Sequence, residues 1–282
     1  MNISVIISTY NQPDWLELTL QAYAVQTRRD FQILIADDGS NEETRRRIDA
    51  LRPAFGTQIM HVWQEDDGFR KCEILNKAIV QAQGDYLIFT DGDCIPRRDF
   101  VSRHAELARP NTLLSGGYLK LSKTTSDQIT SGDVLEGRAS DARTLWRYGC
   151  RSPRILTRLA QGTVAARWSD RLTTTRPTFN GCNTSVWKKD VVAVNGFNER
   201  MGYGGEDREL GERLVHYGVR SLQVRYRAIC VHLDHPRAYR TPEAMAANRE
   251  VRDDTQQSKS DWTSHGIFES REAARKSLTK TM

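Results

Sequence analysis

The chain has 282 residues, 27% of them charged, with 41 lysines and arginines against 36 acids and a net charge of +5. That length suits one large domain or two intimately packed halves. The modest basic excess fits an anionic substrate or a membrane surface and argues against nucleic acid as a partner, since there is no lysine-rich arm and no interleaving of aromatics with bases.

The first predicted element is the β-branched run "ISVIIST" over residues 3–9, which no basic leader or cleavage site precedes. After "YNQPDW" comes a helix whose apolar face is Leu16, Leu18, Leu20 and Tyr23. "FQILIADDGS" repeats the plan, with a buried strand over 31–36, an acid-Gly-Ser ending and the polar helix "NEETRRRIDALRPAF". A third strand, "QIMHVWQ", leads through Asp67-Gly68 to the helix "KCEILNKAIVQA", and a fourth is "DYLIFTDGD". Continuously apolar strands alternating with helices predict an α/β fold with a mostly parallel central sheet flanked by helices. Such sheets bind ligands at the carboxyl ends of their strands.

From 111 to about 176 the pattern loosens, with short helices expected at "DARTLWRYG" and "RILTRLAQ". An acceptor-binding insertion and a long variable connection are both open readings of this segment. Order returns at "PTFNGCNTSVWKKDVVAVNGFNERMGYGGEDRELGERLVHYG", where Glu206 and Asp207 open a helix with Leu210, Leu214 and Val215 facing inward. "VRSLQVRYRAICVHLDH" is predicted as one strand ending in His232 and His235, and Thr241-Pro242-Glu243 as a helix start. The last twenty residues read either as disordered or as a basic tail. The five scattered cysteines never form a C-x-x-C pair, which suits a reducing compartment. No window approaches the roughly twenty apolar residues of a membrane span. The expectation is a cytoplasmic protein, with peripheral association at the inner membrane face left open.

Four predicted strands end in polar residues on one rim: Thr9-Tyr10-Asn11, Asp37-Asp38-Gly39-Ser40, Asp67-Gly68-Phe69-Arg70 and Asp91-Gly92-Asp93. Turn chemistry accounts for the glycines and asparagine. Five neighbouring aspartates repel one another and require a cation, or an arginine such as Arg70, among them.

"ISVIISTYNQ", "ILIADDGSNEETRRRI", "KAIVQAQGDYLIFTDGDCIP" and "GYGGEDRELGERL" together resemble the family 2 nucleotide-sugar glycosyltransferases of GT-A fold. The stretch from "FNGCN" to "LVHYG" is also similar to the carboxyl part of β-1,4-galactosyltransferases and of bacterial chondroitin-type polymerases. The resemblance covers about residues 1–110 and 178–235. It implies a nucleotide-sugar-binding half over 1–110, an acceptor-binding and catalytic half over 111–239, and a polar C-terminal helix or tail over 240–282. It further implies an inverting, metal-dependent transfer of a hexose-type sugar from a nucleotide donor, a UDP-sugar first, to a hydroxyl of a glycan or lipid-linked glycan. Bacterial polysaccharide or lipopolysaccharide synthesis is the implied setting.

Carried over by motif, Asp93 of the D-x-D element binds Mn2+ or Mg2+, while Asp91 contacts ribose or metal-bound water. Gly92 lets the backbone pass close to the nucleotide. His232 or His235 supplies a further metal ligand; a zinc site that adds Cys230 lacks a fourth ligand. Thr9 and Tyr10 meet the base, Asp38, or secondarily Asp37, accepts from a uracil imide, and Arg70 meets the nucleotide. Asp207 is the general base and Glu206 binds a sugar hydroxyl, whereas Tyr203 stands where galactosyltransferases carry a tryptophan. Asn183 either lines the donor sugar or belongs to a structural turn. Two rivals are a nucleotidyltransferase, whose Gly-rich phosphate loop "STYNQPDW" lacks, and a non-catalytic sugar- or nucleotide-binding module, which would not require Asp207.

Overall fold

The computed structural model describes residues 1–55, 59–160, 162–235, 239 and 241–268. The four expected strands form as β1 (Ile3–Thr9), β2 (Gln32–Asp37), β3 (Ile59–Trp63) and β4 (Tyr86–Asp91). Between them lie α1 (Pro13–Ala24), α2 (Glu42–Leu51) and α3 (Lys71–Gln81). Then come β5 (Cys94–Pro96), α4 (Phe100–Leu107), β6 (Thr112–Ser115) and β7 (Gly117–Lys120). A helical stretch follows: α5 (Lys123–Ser126), α6 (Ser131–Leu135), α7 (Ala142–Arg147), α8 (Pro153–Ala160) and α9 (Thr163–Leu172). The chain continues through β8 (Thr184–Trp187), α10 (Lys188–Ala193), α11 (Glu206–His216), β9 (Arg220–Gln223), β10 (Ile229–His232) and α12 (Pro242–Ser258).

Seven strands form the central sheet in the order β3-β2-β1-β4-β8-β6-β9. β1 pairs in parallel with β2 and with β4, β2 with β3, and β6 with β9; only β8 runs antiparallel, between β4 and β6. Because β2 and β4 flank β1 on opposite sides, the crossovers diverge there and a crevice opens beyond the carboxyl ends. The sheet's two faces divide β1 by alternation. Ile6 packs with Leu34, Phe89, Phe179 and Phe197 beneath α3 and α11, and Val5 and Ile7 pack with Leu16, Tyr23 and Phe100 beneath α1 and α4.

A second sheet, β5-β10-β7, sits beside the crevice. β10 runs antiparallel to β5 and parallel to β7. Ile95, Leu121 and Val231 of this region pack against Val134 and Leu145 of the helical stretch.

Three sequence expectations are corrected. "VRSLQVRYRAICVHLDH" is two strands in two sheets, because the chain turns over 224–228 with Ala228 N–H on Val224 O (2.9 Å). Val215 faces outward, and α11 instead buries Glu209 and Arg213 with Leu210 and Leu214. The loosened segment contains β6, β7 and α9, and four-residue strands carry too little apolar pattern to be seen. The predicted tail lies outside the described residues from 269 onward, while 262–268 return to the 195–196 turn, Asn195 Nδ2 donating to Thr263 O and Phe268 O. No described helix is long and apolar enough to cross a membrane.

Candidate active site

A cavity of about 280 Å³ opens at the carboxyl ends of β1, β2 and β4. Its walls carry Thr9, Tyr10, Asp38, Lys71, Asp91, Gly92, Asp93, Tyr203, His232 and His235, which the chain brings from six separate stretches. Three of the five strand-end aspartates therefore share it. Asp37 is buried behind the wall, accepting from Ser40 N–H and lying 2.8 Å from His61 Nε2, and Asp67 is exposed.

The β5–β10 register sets Cys94 opposite His232 and so delivers Asp93 to the histidines. Asp93 Oδ2 lies 2.7 Å from His235 Nε2 and 3.8 Å from His232 Nε2, and the two imidazoles stack with centroids 5.6 Å apart. His232 Nδ1–H donates to Leu233 O at 2.7 Å, which fixes the ring with Nε2 turned toward the carboxylate. Burial opposes charge on Asp93, but the His235 hydrogen bond and both imidazoles outweigh it and hold its carboxyl below the usual range. One carboxylate and two imidazoles suit a borderline divalent cation such as Mn2+. Both histidines lie beside Asp93, His235 within hydrogen-bond distance and His232 farther off. Cys230 instead donates its thiol toward Gly117 O and Cys182 O.

Asp91 has other partners. Its Oδ1 accepts from Lys71 Nζ at 2.8 Å and from Ser8 Oγ at 2.6 Å. Burial disfavours the Lys71 ammonium, yet Asp91, Glu206 and Asp207 together raise its pKa well above the ordinary lysine value. The sequence reading missed this lysine and assigned its part to Arg70. Arg70 turns its guanidinium away to Glu73 Oε2 (3.3 Å) and Glu65 O, while its backbone N–H donates to Asp38 Oδ2 at 2.8 Å. The available signal was helical spacing: Lys71 and Ile74, three apart on α3, both face the cavity.

Beyond Lys71, Asp38 also accepts from Gln64 Nε2 at 2.6 Å, and burial raises its carboxyl above the usual range. Thr9 Oγ1 is buried with no hydrogen-bond partner among the described residues, and Tyr10 O–H donates to Asp66 at 2.8 Å. Tyr203 forms an aromatic wall with Phe69 and Tyr239, at centroid distances of 5.8 and 4.8 Å, and neither companion was anticipated. Asn248 of α12 grips the Tyr203 loop, accepting from Gly202 N–H and donating to Gly202 O and Gly204 O.

Glu206 and Asp207 start α11 directly after Gly205, whose φ of +95° only glycine adopts readily. Neither lines the cavity itself; Glu206 is buried and Asp207 half-buried beside Gly181. Asp207 accepts from Gly181 N–H (3.0 Å) and Arg208 N–H (2.7 Å). A Cβ on Gly181 would lie 3.6 Å from Lys71 Nζ, which marks how near these groups are. Burial raises the Asp207 carboxyl, and burial with the Asp207 charge raises that of Glu206.

The suggestion that Asn183 lines a sugar is corrected by its burial. Its amide donates to Gly117 O and Ala228 O, and its Oδ1 accepts from His104 Nε2–H at 3.0 Å, so it joins the two sheets.

Residues 4–131 match the family model described as Glycosyl transferase family 2, and residues 166–236 match the one described as the N-terminal domain of galactosyltransferase. The first half of the chain is thus similar to glycosyl transferase family 2, and a later segment to galactosyltransferases. Among curated proteins, it is 28% identical to validoxylamine A glucosyltransferase of Streptomyces hygroscopicus subsp. jinggangensis, over 77% of this chain and 52% of the relative. It is 27% identical to chondroitin synthase of Escherichia coli, over 77% of this chain and 32% of the relative. The chain thus spans about half or less of the length of these relatives. The mannosyltransferase PcManGT of Pyrobaculum calidifontis, solved with GDP-Man and Mn2+, superposes with a TM-score of 0.55 at 20% identity, covering 84% of this chain and 58% of its own. That likeness shows the GT-A fold.

Proposed function

We propose that this protein is an inverting, metal-dependent glycosyltransferase that moves a hexose-type sugar from a nucleotide donor, a UDP-sugar first, to a hydroxyl of a glycan acceptor. The observation that carries the reading is the convergence of Asp93, His232, His235 and Lys71 on one cavity at the switch point of the sheet. The names of the chondroitin synthase and glucosyltransferase relatives support sugar transfer and polysaccharide synthesis as its setting.

Asp93, His232 and His235 are the residues that would hold Mn2+ or Mg2+, which would supply positive charge beside the departing diphosphate. Lys71, held ionised by its acidic neighbours, adds a fixed cation beside it. Asp38 offers a buried acceptor to the base, Thr9 and Tyr10 flank it, and the Tyr203 wall closes the sugar end. The acceptor oxygen then attacks the anomeric carbon as its bond to the phosphate oxygen breaks on the opposite face. The acceptor proton passes to the Asp207 carboxylate, whose oxygens each accept only one backbone amide and so retain a lone pair. Glu206 binds a sugar hydroxyl.

Calorimetric titration of UDP, GDP, dTDP and CDP, each with Mn2+ and then with chelator, tests the donor half. One nucleotide is expected to bind only with metal; equal binding with chelator would sink the metal assignment. The base is tested by Asp207→Asn, which is expected to lower turnover by about a hundredfold or more while nucleotide affinity is kept. Loss of both together would assign Asp207 to holding α11 rather than to chemistry. In the wild type, turnover should fall with acid through a pKa above the ordinary carboxylate range, since Asp207 acts only when ionised.

A further inference from the structure

The helical stretch has a feature that sugar transfer does not use. Residues 138–176 hold nine arginines and two aspartates, a net charge of +7 in a chain whose total is +5. All the net positive charge of the protein therefore resides in this stretch. Arg143, Arg147, Arg151, Arg154, Arg167 and Arg171 are exposed.

Helix α9 shows how the charge is arranged. Val164, Arg167, Trp168, Arg171 and Leu172 fall at positions i, i+3, i+4, i+7 and i+8, which is one helical face. In a globular protein such a stripe normally faces the core, yet here it faces outward: Val164 is 73% exposed, Trp168 56% and Leu172 76%. The opposite face anchors the helix. Ala166 is buried, and Asp170 accepts from Tyr226 N–H at 2.8 Å and from Arg227 Nε at 2.6 Å, in the turn that leads into β10. The orientation of α9 is thus fixed by a buried ion pair. Helix α7 repeats the composition, with Arg143, Trp146 and Arg147 exposed at i, i+3 and i+4. Arg151 stacks on Trp146 at 4.3 Å and Arg171 on Trp168 at 5.5 Å.

We propose that the outward face of α9, helped by the exposed arginines of the same stretch, docks the protein on an anionic lipid surface. Arginines attract acidic headgroups, while tryptophan, leucine and valine in the same stripe enter the interfacial layer between headgroups and acyl chains. The apolar side chains separate a bilayer from a soluble polyanion, which would need the arginines alone. A second copy of the chain is disfavoured, because two faces of the same strong charge repel. The inference concerns binding alone and holds whether or not the transfer reaction is as proposed.

The test is flotation of the protein with vesicles of phosphatidylcholine containing about a quarter phosphatidylglycerol, beside pure phosphatidylcholine vesicles. Binding to the anionic vesicles only, weakened by salt, is expected. Arg167→Glu with Arg171→Glu should weaken it about fivefold or more per charge, and Trp168→Ser with Leu172→Ser by about tenfold. All four side chains are exposed, so unchanged melting temperatures should verify that the variants fold. No flotation, or equal flotation with neutral vesicles, overturns the proposal. So does anionic binding that the Trp168 and Leu172 changes leave intact, especially if dextran sulfate competes equally with both proteins, because the site would then be one for a polyanion.

Discussion

Asp93 and Asp91 are separated by one glycine, yet they answer to different partners: two imidazoles hold the first and Lys71 the second. Asp93→Ala should therefore abolish the metal dependence of nucleotide binding, leaving calorimetric traces with and without chelator superimposable; retained dependence would move the metal elsewhere. A second buried residue predicts an acid limit to stability. His104 lies between Ser185 Oγ on Nδ1 and Asn183 Oδ1 on Nε2, and burial lowers its pKa to about 4. The unfolded chain takes up this proton near pH 6.5, whereas the native state does so only near 4. Stability is fully present above the unfolded pKa and falls as pH drops through that interval, by about 3 kcal/mol. Urea unfolding at several pH values should show this slope, and a His104→Asn protein should show a shallower one. An identical slope in both would assign the acid sensitivity to carboxylates.

At the scale of the element, α11 is held by a pair that the sequence conceals. Arg213 is fully buried, bonded through Nε and Nη2 to Glu209 at 2.7 Å, and it also donates to Val194 O and Gly196 O. It thus fastens the 194–196 turn to the helix whose first residues are Glu206 and Asp207. Arg213→Met leaves Glu209 buried without its counter-charge and should cost about 3–5 kcal/mol in chemical unfolding; a loss under about 1 kcal/mol would mean that water reaches Glu209. The four strands and the α3 and α11 helices were legible because long apolar runs and glycine-acid endings are local signals. Lys71, Asn248, Phe69 and Tyr239 were not, because their roles depend on where separate loops meet. Arg213 was not singled out for the same reason: nothing in "RELGERL" tells that both members of an i, i+4 pair point inward. Asn183 was half legible, its turn visible and its bonds to the second sheet not.

Across the whole molecule, a ligand that binds only the folded cavity must stabilise everything the cavity joins. The matching nucleoside diphosphate with Mn2+, at about a hundredfold over its Kd, should add about 2.7 kcal/mol. The melting temperature should rise by several degrees and return to its starting value with chelator; a rise that survives chelation would locate nucleotide binding away from Asp93. The pairing of Cys94 with His232 reaches across about half of the chain. On the ribosome, Asp93 emerges long before His232 and His235, so a nascent chain presents the strand-end wall of the cavity well before its histidines exist. Strand β10 has to slot between β5 and β7, and contacts so distant along the chain form slowly. Truncated or stalled products that end before β10 therefore leave Asp93 without either imidazole and the cavity without that wall.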